Sequence, residues 1–180
     1  MTLLPSDEVL AFLITEARYA DESALDEWEA LLTDDFHYWV PNGPMQGDPA
    51  KQLSYINDNR ARTATRIRQL KTGKRLAQLP PSPMRRVLSN IEVREIIGST
   101  ADGSTADGST ADGSAAGDEQ VVEANVVLYE VAAQSTGELR IWPSRVRYRL
   151  RRVGGELRLA AKWVELVTAE LGQRNLTFLI

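Results

Sequence analysis

The sequence predicts an α+β fold, with helices first and a long, mainly antiparallel meander after them. Three observations carry this. Apolar residues recur at the helical period over much of the stretch from Val9 to Leu70. Beyond the proline-rich Leu79–Pro83 the period drops to two. A Gly-Gly pair then separates two strand-like runs, which is the signature of a hairpin. The 180-residue length fits one domain, 1–180. A domain of that size buries about 70% of the surface its unfolded chain exposes, and it needs neither disulfide nor metal to hold a core.

Taken in order, Ser6 is placed to cap a first helix. Asp7 and Glu8 occupy its first turn, where the helix dipole favours carboxylates. Val9, Phe12, Leu13 and Ala17 form its apolar stripe, up to about Tyr19 or Ala20. Ser23 with Asp26 reads as a capping box with Asp in the usual Glu position, opening a short second helix that presents Leu25, Trp28, Leu31 and Leu32. The segment FHYWVP, Phe36–Pro41, reads as a short strand that Pro41 ends. Residues 42–50 form a loop by composition. Leu53–Lys71 reads as a helix with Ile56, Ile67 and Leu70 as its apolar positions. LPPSP is extended, because proline fixes φ and biases the residue before it away from helix.

Strand patterns follow. In RRVLSNIEVREII, Val87, Ser89, Ile91, Val93 and Ile97 are expected on one face. In EQVVEANVVLYEVA, Val122, Ala124, Val126 and Leu128 oppose Val121, Val127, Tyr129 and Val131. In RVRYRLRRV, Val146, Tyr148 and Leu150 alternate with Arg145, Arg147, Arg149 and Arg151. Gly154-Gly155 turns the chain into ELRLAAKWVELV. Between the first two of these strands, residues 98–117 repeat GSTAD three times and then fade. With no apolar side chain larger than alanine, this low-complexity stretch is expected to be a mobile hairpin loop. Its spaced aspartates, Asp102, Asp107 and Asp112, fit no EF-hand ligand pattern.

Composition narrows the chemistry. The absence of cysteine excludes disulfides, thiolate zinc sites and cysteine nucleophiles. A formal charge of −4 argues against nucleic acid as a partner. The N-terminal MTLLPSDEVLAF has neither the basic start nor the long apolar run of a secretory signal. No apolar run approaches the roughly 20 residues of a membrane span, so a cytoplasmic protein without a membrane partner is expected.

The lone histidine, His37, stands beside Asp34, Asp35, Tyr38 and Trp39. One histidine cannot supply the usual metal sets of two or three imidazoles. What remains is cofactor-free acid–base catalysis with His37 as base and Asp35 or Tyr38 assisting. The alternative is a structural strand whose semi-polar face carries His37 and Trp39. The arginines of Arg145–Arg152 read either as a phosphate-binding face or as an ion-paired or interfacial face, with Glu123, Glu130, Glu156 or Glu165 as partners. The acidic total favours the second. The seven basic residues from Arg60 to Arg75 read as a solvated helix face, and the chain has no phosphate loop, GxSxG or HExxH.

Four segments resemble one family. They are Phe12–Pro41; YINDNRARTATRIRQLKTG with Asp58, Asn59, Leu70 and Gly73; PPSPMRRVLSNIEV with Arg85, Arg86, Ser89 and Asn90; and the stretch from RVRYRLRRV to the terminal NLTFLI. Together they resemble the small β subunit of bacterial aromatic-ring-hydroxylating dioxygenases, the Rieske non-haem iron oxygenases. The GSTAD repeat is not a family feature, and Pro83-Met84 stands where a more polar pair is expected. The resemblance implies a nuclear transport factor 2-like (cystatin-like) cone, with helices packed in a curved sheet. It implies a larger α partner holding a Rieske 2Fe–2S cluster and mononuclear Fe(II), assembled as three α and three β chains. A reductase, with or without a ferredoxin, delivers electrons from NADH for cis-dihydroxylation of an aromatic ring. The β chain itself then has no catalytic residue, cofactor or metal, in keeping with its single histidine and lack of cysteine, since a Rieske centre takes two of each. Asp58, Arg60, Arg85, Arg86, Trp142, Arg145, Arg147 and Arg149 are the expected subunit-interface residues. Two other functions stay open: an isomerase or dehydratase of the same fold using His37 and Asp35, and a small-ligand binding module.

Overall fold

The computed structural model describes residues 5–72, 81–97, 119–133, 137–171, 176 and 178–180. The GSTAD repeat at 98–117 and the start of LPPSP lie outside the described residues, as does the side chain of Ile97.

Helix α1 runs Asp7–Asp21, with the Ser6 hydroxyl accepting from the Val9 amide at 3.3 Å. It buries Val9, Leu13, Ala17 and Ala20 along one stripe, together with Glu16. Helix α2 is Leu25–Ala30, and here the expected capping box does not form. Its N-cap is Ala24 with no side-chain cap, and Ser23 instead takes φ of 55°, turning the chain between the two helices. Strand β1 is Leu32–Pro41, longer than expected and with Pro41 inside it.

The first third of the predicted helix from Leu53 is strand. β2, Ser54–Asn59, pairs antiparallel with β1, and α3 begins only at Arg60 and runs to Lys71. The switch has a local cause. The Asn59 side chain accepts from the Arg62 amide at 3.0 Å and caps α3, which stops the strand and starts the helix in one residue.

Strands β3 (Met84–Ile97), β4 (Glu119–Ala132), β5 (Glu138–Val153) and β6 (Glu156–Leu166) form the meander. The sheet order is β2-β1-β6-β5-β4-β3, antiparallel throughout except for the parallel β1–β6 pair. At the β5–β6 hairpin Gly154 and Gly155 both have positive φ, 61° and 87°, as the sequence requires. β4 and β5 keep the predicted faces, with Val122, Ala124, Val126 and Leu128 packed inward beside Val146, Tyr148 and Leu150.

β3 does not keep one face. The pairing slips between Ser89 and Glu92, leaving one extra residue, and Asn90 adopts φ of 50°. Val87 and Ser89 therefore point outward, while Ile91 and Val93 turn inward. The bulge bends the sheet around the helices and makes the cone. Its interior holds Trp28, Phe36 and Tyr38, with Trp28 edge-on to Phe36 at 6.0 Å. The terminal Phe178, Leu179 and Ile180 are buried against the same core, Phe178 edge-on to Trp142 at 5.6 Å.

Asparagine tolerates the left-handed region far better than β-branched residues do. Asn90→Gly is expected to hold stability within about 1 kcal/mol, and Asn90→Val to cost on the order of 1–3 kcal/mol. Urea unfolding reads the difference, and equal midpoints for the parent and Asn90→Val would contradict the bulge account.

Candidate functional site

The lone histidine lies on the outer face of β1, and both of its ring nitrogens are engaged. Trp163 Nε1 donates to His37 Nδ1 at 3.0 Å, and His37 Nε2 lies 2.8 Å from Asn57 Oδ1. An indole N–H can only donate, so Nδ1 is the acceptor and Nε2 carries the proton. Asn57 Nδ2 in turn donates to the Pro49 carbonyl at 2.8 Å, which fixes the orientation of the amide. This chain of bonds stitches β6, β1, β2 and the 42–53 loop together. Trp39 stands edge-on to Trp163 at 5.6 Å beside it.

Asp35 is not joined to His37. Its carboxylate takes a hydrogen bond from Thr33 at 2.6 Å and a bidentate pair from Arg151 at 2.8 and 3.0 Å. Tyr38 points the other way, into the cone. Its hydroxyl donates to the Ile180 carbonyl at 2.9 Å and accepts from the Ile180 amide at 2.8 Å, and burial pushes the phenol well above its usual pKa. The three residues of the acid–base reading thus serve three separate places.

The arginine ladder is an ion-paired face. Glu123 accepts from Arg94 and Arg145 on one oxygen, at 2.9 and 2.6 Å, and from Arg147 on the other, at 2.9 and 2.7 Å. Glu119 accepts from Arg149 at 2.6 Å and from Arg151 at 3.0 and 3.1 Å. Both glutamates are buried beneath the arginine stems. Burial would push the Glu123 carboxyl up, but the hydrogen bonds from Arg147, Arg94 and Arg145 outweigh it and hold it below the ordinary range. Of the expected partners, Glu123 is present. Glu119 takes a place the sequence reading gave to others. Glu130 faces the interior, accepting from Trp142 at 3.0 Å and Ser82 at 2.9 Å, and Glu156 pairs with Arg158 at 2.8 Å. Glu165 accepts from the Met45 amide.

Most of the expected interface residues are engaged within the chain. Trp142 is buried on the inner face. Arg86 is also buried, paired with Asp21 and donating to the Leu179 carbonyl. Asp58 pairs with Arg66 at 2.7 Å, and Arg60 with Glu29 at 2.8 Å. Arg85 alone of the eight is exposed with no carboxylate in reach among the described residues; its guanidinium donates to the Met84 carbonyl at 2.7 Å.

One polar centre had no counterpart in the sequence reading. Glu16 and Lys162 meet inside the cone at 2.8 Å, and Trp28 Nε1 donates to the same Glu16 oxygen at 2.7 Å. Burial would raise the Glu16 carboxyl, but the Lys162 ammonium, Arg86 and the Trp28 indole hold it below its usual range. Burial pushes Lys162 down against the pull of Glu16. The signal was available: Glu16 sits on the apolar stripe between Leu13 and Ala20. Among the described residues, no group of three or more His, Cys, Asp or Glu side chains is placed to hold a metal ion.

Residues 15–102 match the model of the ring hydroxylating beta subunit family. Over that stretch the chain is similar to that family. Its relatives include the small oxygenase component of the p-cumate 2,3-dioxygenase system of Pseudomonas putida, 29% identical over 86% of this chain and 75% of that one. The toluate 1,2-dioxygenase subunit beta of Pseudomonas putida is 30% identical over 49% of this chain, which spans 58% of that relative. Among solved structures, the beta subunit of the benzoate 1,2-dioxygenase from Burkholderia mallei superimposes with a TM-score of 0.67 at 21% identity, covering 99% of this chain and 100% of that one. That likeness speaks for the fold, which is the expected nuclear transport factor 2-like cone.

Because this chain carries a single histidine, its imidazole is an unambiguous probe. Nitrogen NMR is expected to show the Nε2–H tautomer, with Nδ1 as an acceptor, and Trp163→Phe should release the ring into mixed tautomers. An Nδ1–H tautomer in the parent protein would contradict the network.

Proposed function

We propose that this chain is the non-catalytic β subunit of an aromatic-ring-hydroxylating dioxygenase working in the cytoplasm. It holds in place a larger α subunit in which the chemistry occurs. In this reading the α subunit carries the Rieske cluster and the mononuclear iron, three α chains stand on three β chains, and a reductase supplies NADH-derived electrons for cis-dihydroxylation of an aromatic compound. The observation that carries it is the internal use of every candidate catalytic group. His37 is committed to Trp163 and Asn57, Asp35 to Arg151, and Tyr38 to Ile180. The donor set agrees: a Rieske centre needs two cysteines and two histidines, and this chain has none of the first and one of the second.

The isomerase or dehydratase reading with His37 and Asp35 as acid–base pair is less well supported, because Asp35 is held by Thr33 and Arg151 and both ring nitrogens of His37 are engaged. No helix among the described residues is long and apolar enough to cross a membrane.

Expressed alone, the chain is expected to bind no stoichiometric iron and to turn over no arene. Co-expressed with a large oxygenase subunit from the same organism, it is expected to elute with that subunit in one assembly that forms cis-diols. Iron analysis, size-exclusion chromatography and product assay read the outcome. Iron at one equivalent and diol formation by the isolated chain would contradict the proposal.

A further inference from the structure

We propose that the groove between α1 and β3 receives an extended, acidic segment of the larger oxygenase subunit. This rests on the function proposed above and names the surface and the chemistry that serve it. The groove has a volume of about 400 Å³ and is open to solvent. Ile14, Leu88 and Ile91 form an apolar strip along it, and Ile14 is 60% exposed although its neighbour Leu13 on the same helix is fully buried. A contiguous apolar strip rimmed by charged side chains is the kind of surface that a partner covers.

Charge selects the occupant. Arg18 and Arg85 stand at the groove with no carboxylate in ion-pair reach among the described residues. Arg18 lies 5.2 Å from the Tyr19 ring, and Arg85 donates only to its own neighbour's carbonyl. The Asp21–Arg86 pair below them is self-compensating, which leaves Glu22, among the described residues lining the groove, as the anion without an ion pair against two cations. Arg86 also lines the groove, and its Nε is buried without a hydrogen-bond partner. A locally cationic groove in a chain of net charge −4 attracts an acidic ligand there and repels it over much of the remaining surface.

Geometry selects its shape. β3 is the last strand of the sheet, and the groove follows its margin against a helix. An extended segment lies along such a margin with alternate side chains on the apolar strip and the others toward the arginines. Guanidinium forks bind carboxylates bidentately, so aspartate or glutamate side chains are the groups that fit.

The test uses the full chain co-expressed with the large oxygenase subunit from the same organism. A benzophenone amino acid placed at position 14 in place of Ile14 is expected to cross-link to the large subunit on irradiation. The charge reversal Arg18→Glu with Arg85→Glu is expected to weaken association about tenfold or more and to remove its salt dependence. The melting temperature of the isolated variant should stay at the parent value, because neither arginine holds a carboxylate among the described residues. Unchanged affinity in the double variant, or cross-linking only to a second copy of this chain, would overturn the groove while leaving the subunit function standing. A parent chain that binds no large subunit would remove both.

Discussion

The Glu16–Lys162 ion pair, sealed inside the cone, is the interaction on which the rest of the structure depends. Glu16 Oε1 collects Lys162 from β6 and the Trp28 indole from α2, so one oxygen ties both N-terminal helices to the centre of the sheet. Its other oxygen is buried without a partner. Two charges removed from water are costly, and the geometry repays that cost only while both partners stay in place. Around this pair pack Phe36, Tyr38 and Tyr148, and the terminal Phe178–Ile180 close the core through the Tyr38 hydroxyl and Arg86.

The outer face solves a different problem. Glu119 and Glu123 would be costly so close to the sheet surface, but the arginines around them supply the missing solvation as charge-assisted hydrogen bonds. The ladder is thus a closed electrostatic system, fixed in place, with little left for an external anion. Farther along the same face, Val87, Tyr129, Val131, Leu139 and Ile141 are exposed in adjacent cross-strand rows. The sheet therefore has an ionic end and an apolar end. Both are consistent with a chain whose work is holding other chains.

Much of this was legible in the sequence, for identifiable reasons. The alternation of Arg145–Arg151 with Val146, Tyr148 and Leu150 fixes β5 because a two-residue period has no helical counterpart. Gly154-Gly155 fixes the turn because both positions need positive φ. The order of helices and strands followed from where the period changed. The errors share one cause, local exceptions that periodicity averages away. SYINDN is too short and polar to declare itself a strand, and it becomes one because β1 offers a free edge. Asn90 inserts a residue into β3 and reverses which side chains face inward. A second irregularity, between Leu159 and Ala161, brings Lys162 into the core. The candidate site stayed open between an acid–base group and a structural strand for a related reason. Asp35, His37 and Tyr38 are neighbours in sequence, but Tyr38 points to the opposite face of the strand, and Asp35 is held by Arg151, 116 residues away in the chain.

The central claim is that the polar centre of this cone is structural, not chemical, and a double-mutant cycle on Glu16 and Lys162 tests it most directly. Lys162→Met alone strands an unpaired buried carboxylate and is expected to cost about 3–5 kcal/mol by urea unfolding, with Glu16→Met similarly severe. Combining the two should recover most of that loss, and the doubly substituted chain should still support a fully active oxygenase when joined to its partner. Additive losses in the double variant, or an assembly that stays intact yet loses turnover, would contradict the account.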